Sequence, residues 1–201
     1  MDVMPPCFAC QGTAESELQG TGLLNIAGEK IGGSGTLGHS IFIRFFRKDG
    51  EKMAEMRYIR RALPCDLSRI AEIEIFNYRL YFYPIFQQDA YYFKELQVPE
   101  KIKEYESRMG SLWVYDDGAV KGFMLVQEDE LVKLFVEPVL HSRGIGTALL
   151  RYAVDVLQAR YLWALEKNER AIAFYQRQGF RKTSDRMPEE DTEEYLIRLE
   201  R

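Results

Sequence analysis

The sequence predicts an α/β (α+β) fold with a mixed, mostly antiparallel central sheet that is flanked by helices. Three observations predict it. The hydrophobic period changes along the chain between 2 and 3.6 residues, three strand patterns follow one another over 112–136 with short turns, and helical patterns separate the other strands. The resulting order is strand, helices, three strands, helix, strand, helix and two strands. This order excludes a Rossmann fold and a helical bundle.

Composition narrows the function classes before any motif is considered. The chain has 201 residues, of which 46% are hydrophobic, and 27 Lys and Arg against 31 Asp and Glu give a net charge of −4. This acidic balance argues against nucleic-acid binding, which favours a basic face. No apolar run approaches the length of about 20 residues that spans a bilayer. Three cysteines form no disulfide framework in so long a chain, which favours a reducing, cytoplasmic location. Together with the charge and the lack of a long apolar run, this predicts a cytoplasmic protein without membrane or nucleic-acid partners.

The first quarter of the chain differs in texture from the rest. Nine of the fifteen glycines precede residue 51, and the stretch 29–38 has neither the period of a strand nor that of a helix. Cys7 and Cys10 lack the second Cys/His pair that a zinc site needs. We predict that residues 1–52 form a glycine-rich extension that is flexible or foreign to the natural protein. Our hypothesis is that translation naturally begins at Met53 or Met56, and that the folded domain covers 56–201.

The elements of this domain follow from periodicity in chain order. A strand over 56–61 precedes a helix from an N-cap at Asp66 through Asn77, which leads into an aromatic run over 78–86. Pro84 and Pro99 separate two further short helical stretches, which end near Arg108. The remaining predicted elements are a hairpin over 112–115 and 119–127, a strand over 131–136, a helix over 146–160, a strand over 161–165, a helix over 169–178 and a closing hairpin over 180–183 and 195–199.

A glycine-containing turn joins the strand 131–136 to the following helix. It reads His141-Ser-Arg-Gly-Ile-Gly-Thr147. Two glycines allow a ligand to approach the main chain closely, and the free N–H groups of the first helical turn suit a phosphate. Arg143 adds charge at the rim. Simple helix capping is the alternative interpretation. A dinucleotide fingerprint would need a third glycine where Leu149 stands, and the Gly-Lys-Ser/Thr of a P-loop is absent.

A second motif makes the first one specific. The sequence Asn168-Glu-Arg-Ala-Ile-Ala-Phe-Tyr175-Gln-Arg-Gln-Gly179-Phe180 follows the next strand. Together the two motifs resemble the acetyl-CoA-binding core of the GNAT superfamily of N-acetyltransferases. The resemblance covers about residues 56–201 and implies the GNAT-like acyl-CoA N-acyltransferase fold. His141 departs from the Gln or Arg that is usual there, and we expect this to tune affinity without abolishing it.

The resemblance implies a set of roles, with acetyl-CoA as co-substrate and no metal. The main chain of one strand would pair with the pantetheine arm and polarise the acetyl carbonyl, the glycine turn would wrap the pyrophosphate, an asparagine would bind the pantetheine and a tyrosine would protonate the leaving thiolate. In this chain the corresponding residues are Leu134, Phe135 and Val136 for the strand, Ser142, Arg143, Gly144, Ile145, Gly146 and Thr147 for the turn, Asn168, and Tyr175.

These roles agree with the chemistry of the residues. A phenol with a pKa near about 10 is a suitable proton donor to a thiolate at neutral pH. The structural alternatives are a core aromatic for Tyr175 and a helix N-cap for Asn168, which does not exclude a ligand contact. Gly179 and Phe180 are expected to be structural, as a helix-terminating glycine and a buried ring.

The general base is not identified by the sequence. By position the candidates are Glu128, Glu130, Glu137 and His141, and each is also explained as a solvated surface group. Some family members that acetylate protein N-termini carry a catalytic glutamate on the strand before the asparagine. Here that strand has no carboxylate before Glu166, which argues against this subclass.

The acceptor is predicted to be a primary amine of a small molecule, a peptide or a protein. In the family the helices after the first strand wall the acceptor site, and here that segment is rich in aromatic side chains suited either to a core or to cation–π contact with an amine. These are Phe76, Tyr78, Tyr81, Phe82, Tyr83, Phe86, Tyr91, Tyr92 and Phe93. The acidic stretch 189–194 is interpreted as a solvated loop, or alternatively as a lip that attracts amines.

Two functions remain open on the sequence. The first is an acetyl-CoA-dependent N-acetyltransferase that works by direct attack of the amine, and the second is a non-catalytic acyl-CoA-binding sensor on the same fold. Retention of both Asn168 and Tyr175 favours the enzyme. Acetylation of aminoacyl-tRNA would need a basic surface, which the net charge of −4 does not offer. A homodimer is compatible with the sequence.

Overall fold

The computed structural model describes residues 56–201, and these form one seven-stranded sheet with helices on both faces. The strand order across the sheet is β1-β2-β3-β4-β5-β7-β6, and every pair is antiparallel except β4 and β5. The predicted mixed, mostly antiparallel sheet is therefore confirmed. The strands are β1 Ile59–Arg61, β2 Leu112–Asp116, β3 Val120–Gln127, β4 Glu130–Val136, β5 Tyr161–Leu165, β6 Arg181–Pro188 and β7 Tyr195–Glu200. The predicted extension 1–52 and the start at Met53 lie outside the described residues.

Four helices of at least two turns accompany the sheet. They are α1 Leu67–Asn77, α2 Val98–Glu106, α3 Ile145–Asp155 and α4 Glu169–Arg177. Between α1 and α2 the chain forms short helical stretches, two of them with π-helical turns, at Tyr78–Phe82, Tyr83–Phe86 and Tyr91–Glu95. No helix within 56–201 is long and apolar enough to cross a membrane.

One predicted N-cap lacks its side-chain hydrogen bond, and one predicted helix boundary changes. Asp66 precedes α1, but its carboxylate does not cap the helix, because it accepts hydrogen bonds from the Leu63 N–H at 2.8 Å and from the Arg60 guanidinium at 2.7 and 3.0 Å. The helix predicted to reach residue 160 ends at Asp155. Gln158 has a left-handed φ of 62°, and this turn delivers the chain to β5.

Two predicted strand boundaries also change. The first strand begins at Ile59 instead of residue 56. β6 continues to Pro188, well beyond the predicted 183, and pairs with β7 across an irregularity between Lys182 and Arg186. Almost every residue of β6 is exposed, so the alternation of apolar and polar side chains that marks a strand is missing there.

Alternating side chains of the strands divide the core between the two faces of the sheet. On β3, Met124 packs with the α3 residues Leu149 and Leu150, whereas Phe123 packs with α1 residues that include Ile70. Such alternation is expected because successive side chains of a strand point to opposite faces. The helix α4 contributes Ile172, Phe174 and Tyr175 to the α3 face. The sheet, which contains β4 and β5 as neighbours, thus lies between two layers of helices.

The parallel pair β4 and β5 separates almost as soon as it forms. The two strands pair only at Glu130 and Tyr161, at the beginning of both. β5 then pairs over its whole length with β7 on its other side. Within residues 56–201 the second half of β4 therefore has β3 on one edge and no strand on the other, and a gap opens in the sheet.

Candidate active site

A cavity of about 750 Å³ occupies the gap between β4 and β5. Its walls come from β4, the glycine turn, β5, α4, the helical stretch after α1 and the end of β6. Among the residues predicted for the site, Leu134, Phe135, Val136, Ser142, Gly144, Gly146, Thr147, Asn168 and Tyr175 line this cavity. The fold therefore brings together two motifs that are about thirty residues apart.

Two residues of the predicted set do not line the cavity with their side chains. Arg143 is exposed. The side chain of Ile145 is buried in the core on the α3 face. Both main-chain N–H groups nevertheless belong to the turn, so these residues can serve the predicted role only through the main chain or, for Arg143, at the rim.

The main chain of β4 offers its groups to the gap at alternate residues. In an antiparallel pair, residues alternate between facing the partner strand and facing the opposite edge. The Glu137 N–H donates to the Lys121 carbonyl of the β3 side at 2.8 Å. Counting back from there in the observed register, Phe135 faces β3, while Leu134 and Val136 face the gap. Of the three predicted strand residues, Phe135 thus cannot offer its main chain to a ligand in the gap.

One of the gap-facing carbonyls is already engaged. The Val136 carbonyl accepts hydrogen bonds from Asn77 Nδ2 and from His141 Nε2, each at 3.0 Å. The main-chain groups that remain for a ligand are the two N–H groups and the Leu134 carbonyl. Such an edge can receive an extended, amide-containing arm in the way a strand is received.

The strands β3 and β4 approach each other closely at Gly122, a position that the sequence analysis did not identify. A Cβ atom at Gly122 would lie 2.9 Å from the Phe135 carbonyl oxygen and 3.2 Å from a methyl group of Leu149. Only glycine fits here without displacement of the main chain. An isolated glycine inside a predicted strand is the signal that could have identified the position.

The glycine turn presents a series of main-chain N–H groups at the start of α3. Ser142 and Gly144 have positive φ values of 65° and 88°. The first internal bond of the helix runs from the Ala148 N–H to the Gly144 carbonyl at 2.9 Å. Within the described residues, no main-chain acceptor meets the N–H groups of 142–147. Unsatisfied N–H groups at a helix N-terminus suit a phosphate or pyrophosphate.

His141 is held as a neutral ring beside this turn. Its Nε2 lies 3.0 Å from the Val136 carbonyl, so that nitrogen carries the proton, and its Nδ1 accepts from Tyr81 Oη at 3.3 Å and Arg170 Nη2 at 3.0 Å. Burial is the main cause that lowers the pKa of His141, and the Arg170 charge adds to it. A ring engaged on both nitrogens is a poor candidate for the general base.

Asn168 combines the two predicted interpretations. Its Oδ1 accepts a hydrogen bond from the Ala171 N–H at 3.1 Å, which caps α4. The same side chain lines the cavity, and no hydrogen bond from Nδ2 is formed within 56–201. The cap orients the amide, so its NH₂ group is available to an acceptor in the cavity.

Tyr175 lies on α4, seven residues after the N-cap Asn168, and also lines the cavity. Its ring packs edge-to-face against Phe174 and Phe180, with centroid distances of 5.2 and 6.0 Å. Burial raises the pKa of Tyr175 above its ordinary value. No hydrogen bond to its hydroxyl is formed within the described part of the chain. The phenol is therefore protonated at neutral pH and able to donate.

Two of the carboxylates proposed as general bases are already engaged, and the third does not line the cavity. Glu137 is buried and forms an ion pair with Arg69. Glu130 lines the cavity but accepts a hydrogen bond from Tyr161 Oη at 3.2 Å. Glu128 is a turn residue with a φ of 53° and is not among the residues that line the cavity. Glu189, which the sequence analysis placed in an acidic loop, does line it.

The aromatic segment divides between core and cavity. Tyr78, Tyr81, Phe82 and Phe86 line the cavity, whereas Tyr92 is buried with 1% exposure. Other members of the segment, Phe76 and Phe93, are exposed at 45% and 51%. Both interpretations of the segment thus hold for different side chains. No group of three or more His, Cys, Asp or Glu side chains within 56–201 is arranged to hold a metal ion.

The fold is of the acyl-CoA-dependent N-acyltransferase class. Its marks are the split sheet, the N–H-rich turn and the two motifs. The fold is similar to the solution structure of apo YjaB from Escherichia coli, with a TM-score of 0.56 at 22% identity over 71% of this chain and 95% of that one. It is also similar to the PaiA N-acetyltransferase of Thermoplasma acidophilum in complex with coenzyme A, with a TM-score of 0.55 at 16% identity over 71% and 98%.

The sequence comparison identifies the family. Residues 72–180 match the acetyltransferase (GNAT) family, and the chain belongs to it. The peptidyl-lysine N-acetyltransferase YiaC of Escherichia coli K12 is 41% identical over 70 residues, which are 34% of this chain and 48% of YiaC. The chain spans about half the length of the curated relatives it matches. The resemblance stated from the two motifs is confirmed.

Proposed function

We propose that the protein transfers the acetyl group of acetyl-CoA to a primary amine, namely a lysine side chain of a protein or peptide. The observation that carries this proposal is the unpaired edge of β4, which adjoins the N–H-rich turn and shares one cavity with Asn168 and Tyr175. A non-catalytic binding module would need the turn and the edge but would have no use for a partly buried, protonated phenol at the same cavity.

The residues present fit acetyl-CoA along the length of the gap. The N–H groups of 142–147 would bind the pyrophosphate, and Arg143 would contribute charge at the rim. The two gap-facing N–H groups of β4 and the Asn168 amide would bind the amide-containing pantetheine arm. Acetyl-CoA itself supplies an activated thioester. N–H groups aimed at its carbonyl oxygen stabilise the negative charge that develops there during attack.

Tyr175 is proposed as the general acid of a direct transfer. The thiolate that leaves must gain a proton, and the Tyr175 phenol is a protonated group of the cavity lining whose hydroxyl has no competing hydrogen bond in the described chain. Because burial raises its pKa, the phenol stays in the donor form through neutral and mildly alkaline pH. The arrangement supports transfer without an acyl-enzyme intermediate.

The acceptor class rests on the relatives. YiaC is named a peptidyl-lysine N-acetyltransferase, and the same name is given to YjaB of Salmonella typhimurium. In this chain Tyr78 and Tyr81 also line the cavity, but their rings already face Lys101 Nζ at 5.7 Å and the Arg170 guanidinium at 5.1 Å. We therefore propose a lysine side chain as the acceptor from the relatives and do not assign its ammonium group to these rings.

A thiol-release assay tests the proposal. Acetyl-CoA is supplied with lysine-containing peptides whose N-terminus is blocked, with peptides that have only a free N-terminus, and with small amines. We expect turnover with the first group, and mass spectrometry should locate one acetyl group on the lysine. Micromolar binding of acetyl-CoA without turnover on any acceptor would contradict the proposal and favour the sensor.

A further inference from the structure

Glu189 lies where β6 ends, directly after Pro188, and its partly buried side chain lines the same cavity as Tyr175. The main chain holds it in a closed turn. Its N–H donates to the Glu194 carbonyl at 2.9 Å, and its carbonyl accepts from Thr192 Oγ1 at 3.0 Å. These two hydrogen bonds fix the main chain of Glu189, so its carboxylate is held at the cavity wall.

The carboxylate of Glu189 has no bonded partner in residues 56–201. The other acidic side chains near the gap are neutralised by cations or by hydroxyl donors. Glu74, fully buried on α1, receives Lys133 Nζ at 2.7 Å and Tyr105 Oη at 2.7 Å. Together with Glu137 on Arg69 and Glu130 on Tyr161, this leaves Glu189 as the cavity-lining carboxylate that is free to receive a cation.

The surroundings of Glu189 are phenolic and acidic. The negative charge of Glu189 contributes to the raised pKa values of Tyr78, Tyr91 and Tyr92, which lie on the helical stretches between α1 and α2, and Tyr78 is the one of the three that lines the cavity. Glu190 is the charged neighbour on its own segment. Burial and then the Glu190 charge raise the pKa of the Glu189 carboxyl. A carboxylate in such surroundings is a stronger base than a solvated one.

We propose that Glu189 contacts the ammonium group of the acceptor lysine and takes its proton before the transfer. This inference rests on the proposed function. The proton moves from the amine nitrogen to a Glu189 oxygen, and the freed nitrogen lone pair forms the bond to the thioester carbonyl carbon. The carbon–sulfur bond breaks and the thiolate takes the Tyr175 proton. The bonded nitrogen gives its second proton through solvent to the Tyr175 phenolate, which leaves a neutral amide, and solvent removes the proton from Glu189.

The test compares Glu189→Gln with Glu190→Gln in the full chain. Both variants remove one negative charge from adjacent positions, but Glu190 is exposed and lies outside the cavity lining. With a blocked lysine peptide we expect Glu189→Gln to lower kcat/KM at pH 7 by about 100-fold, within the usual range for loss of a general base. Glu190→Gln should stay within about twofold of the unchanged protein.

The pH profile separates proton transfer from charge attraction. The unchanged enzyme should lose activity as the pH falls through the raised pKa of Glu189, since only the ionised carboxylate accepts a proton. Glu189→Gln should lack this acidic limb, and Glu189→Asp should keep it with reduced kcat. In Glu190→Gln the limb should move to lower pH, because one cause of the raised pKa is removed.

Thermal melting and acetyl-CoA binding should be equal in the two glutamine variants, which shows that neither is misfolded. Equal kcat/KM values in Glu189→Gln and Glu190→Gln would overturn the inference while leaving the proposed function intact. A rise of KM alone, with the acidic limb retained, would likewise overturn it. Absence of turnover in the unchanged protein would overturn the proposed function and this inference together.

Discussion

The two walls of the cavity are built in different ways. On the β4 wall the groups that face a ligand are mostly main-chain N–H groups, and they come from the short stretch 134–147. In the rest of the lining they are side chains from segments that are about one hundred residues apart, such as Tyr81 and Glu189. Many different amino-acid sequences can form the same main-chain site, as long as glycines allow the turn. A side-chain wall depends on each residue, so it is where acceptor specificity can vary.

Tyr175 stands where the two walls meet, and its removal should have the largest effect. We expect Tyr175→Phe to reduce kcat about 100-fold or more at neutral pH, since the thiolate loses its proton donor. KM for acetyl-CoA should hardly change. In the unchanged protein, activity should persist at mildly alkaline pH and fall only as the pH approaches the raised pKa of the phenol.

The matched control for that change is Tyr195→Phe, which removes the hydroxyl of a 39% exposed tyrosine outside the cavity lining. It should behave like the unchanged protein in steady-state kinetics. Full turnover in Tyr175→Phe would show that the general acid lies elsewhere.

The main-chain wall is tested by its glycines. Gly144 has a φ of 88°, and an alanine there must adopt a left-handed conformation at a cost of about 1–2 kcal/mol. We expect Gly144→Ala to lower the free energy of unfolding or to raise the KM for acetyl-CoA by a corresponding factor. Gly146→Ala is the comparison, because a Cβ at that position meets its nearest neighbours at ordinary distances of 3.6 Å and more. Equal effects of the two changes, in urea unfolding and in kinetics, would contradict a role of the turn conformation.

Asn168 tests whether one side chain serves both a cap and a ligand. Asn168→Ala should lower the free energy of unfolding by about 1 kcal/mol, because α4 loses its N-cap. Asn168→Asp keeps an oxygen for the Ala171 N–H and should be nearly as stable as the unchanged protein. Both variants should bind acetyl-CoA more weakly in titration calorimetry. An aspartate variant with unchanged affinity would limit Asn168 to capping.

The smallest effect is expected at His141, which joins the two walls through Tyr81 and Val136. Its pKa is lowered in the folded protein, so the unfolded chain binds the proton more readily. The contribution of the neutral ring to stability is therefore present above the unfolded pKa of about 6.5 and decreases as the pH falls below it. Chemical unfolding at pH 8 and pH 5 should show this loss, and His141→Gln should show less of it. An identical pH dependence in the variant would exclude His141 as its source.

The predictions from the sequence were most successful where structure is local. The strand over 161–165 and the boundaries of α4 agree with the structure closely, because alternation of side chains and capping are properties of neighbouring residues. They failed at β6, where the strand is defined by its pairing with β7 and carries almost no buried side chain. They also failed to mark Gly122, whose need for glycine comes from a carbonyl in the next strand.

The candidate site shows the same division. The sequence predicts both motifs because each depends on a short stretch of chain. One is the left-handed glycine before α3, and the other is the spacing from Asn168 to Tyr175. The carboxylate that we propose as proton acceptor was not among the candidates chosen from the sequence. Glu130 and Glu137 differ from Glu189 in the partners that the fold gives them, and the ion pair of Glu137 with Arg69 joins residues 68 positions apart.

The sequence by itself thus determined the family and the N–H-rich turn, and it pointed to Tyr175 as the proposed proton donor, since glycine conformations and helix caps depend on adjacent residues. Tertiary structure alone decided which edge of β4 stays unpaired, which main-chain groups face the gap and which carboxylate remains without a cation. The physical reason is that hydrogen bonds and ion pairs are satisfied by whichever groups the fold brings close. A group that is left over for a ligand can be recognised only after all the other groups have found their partners.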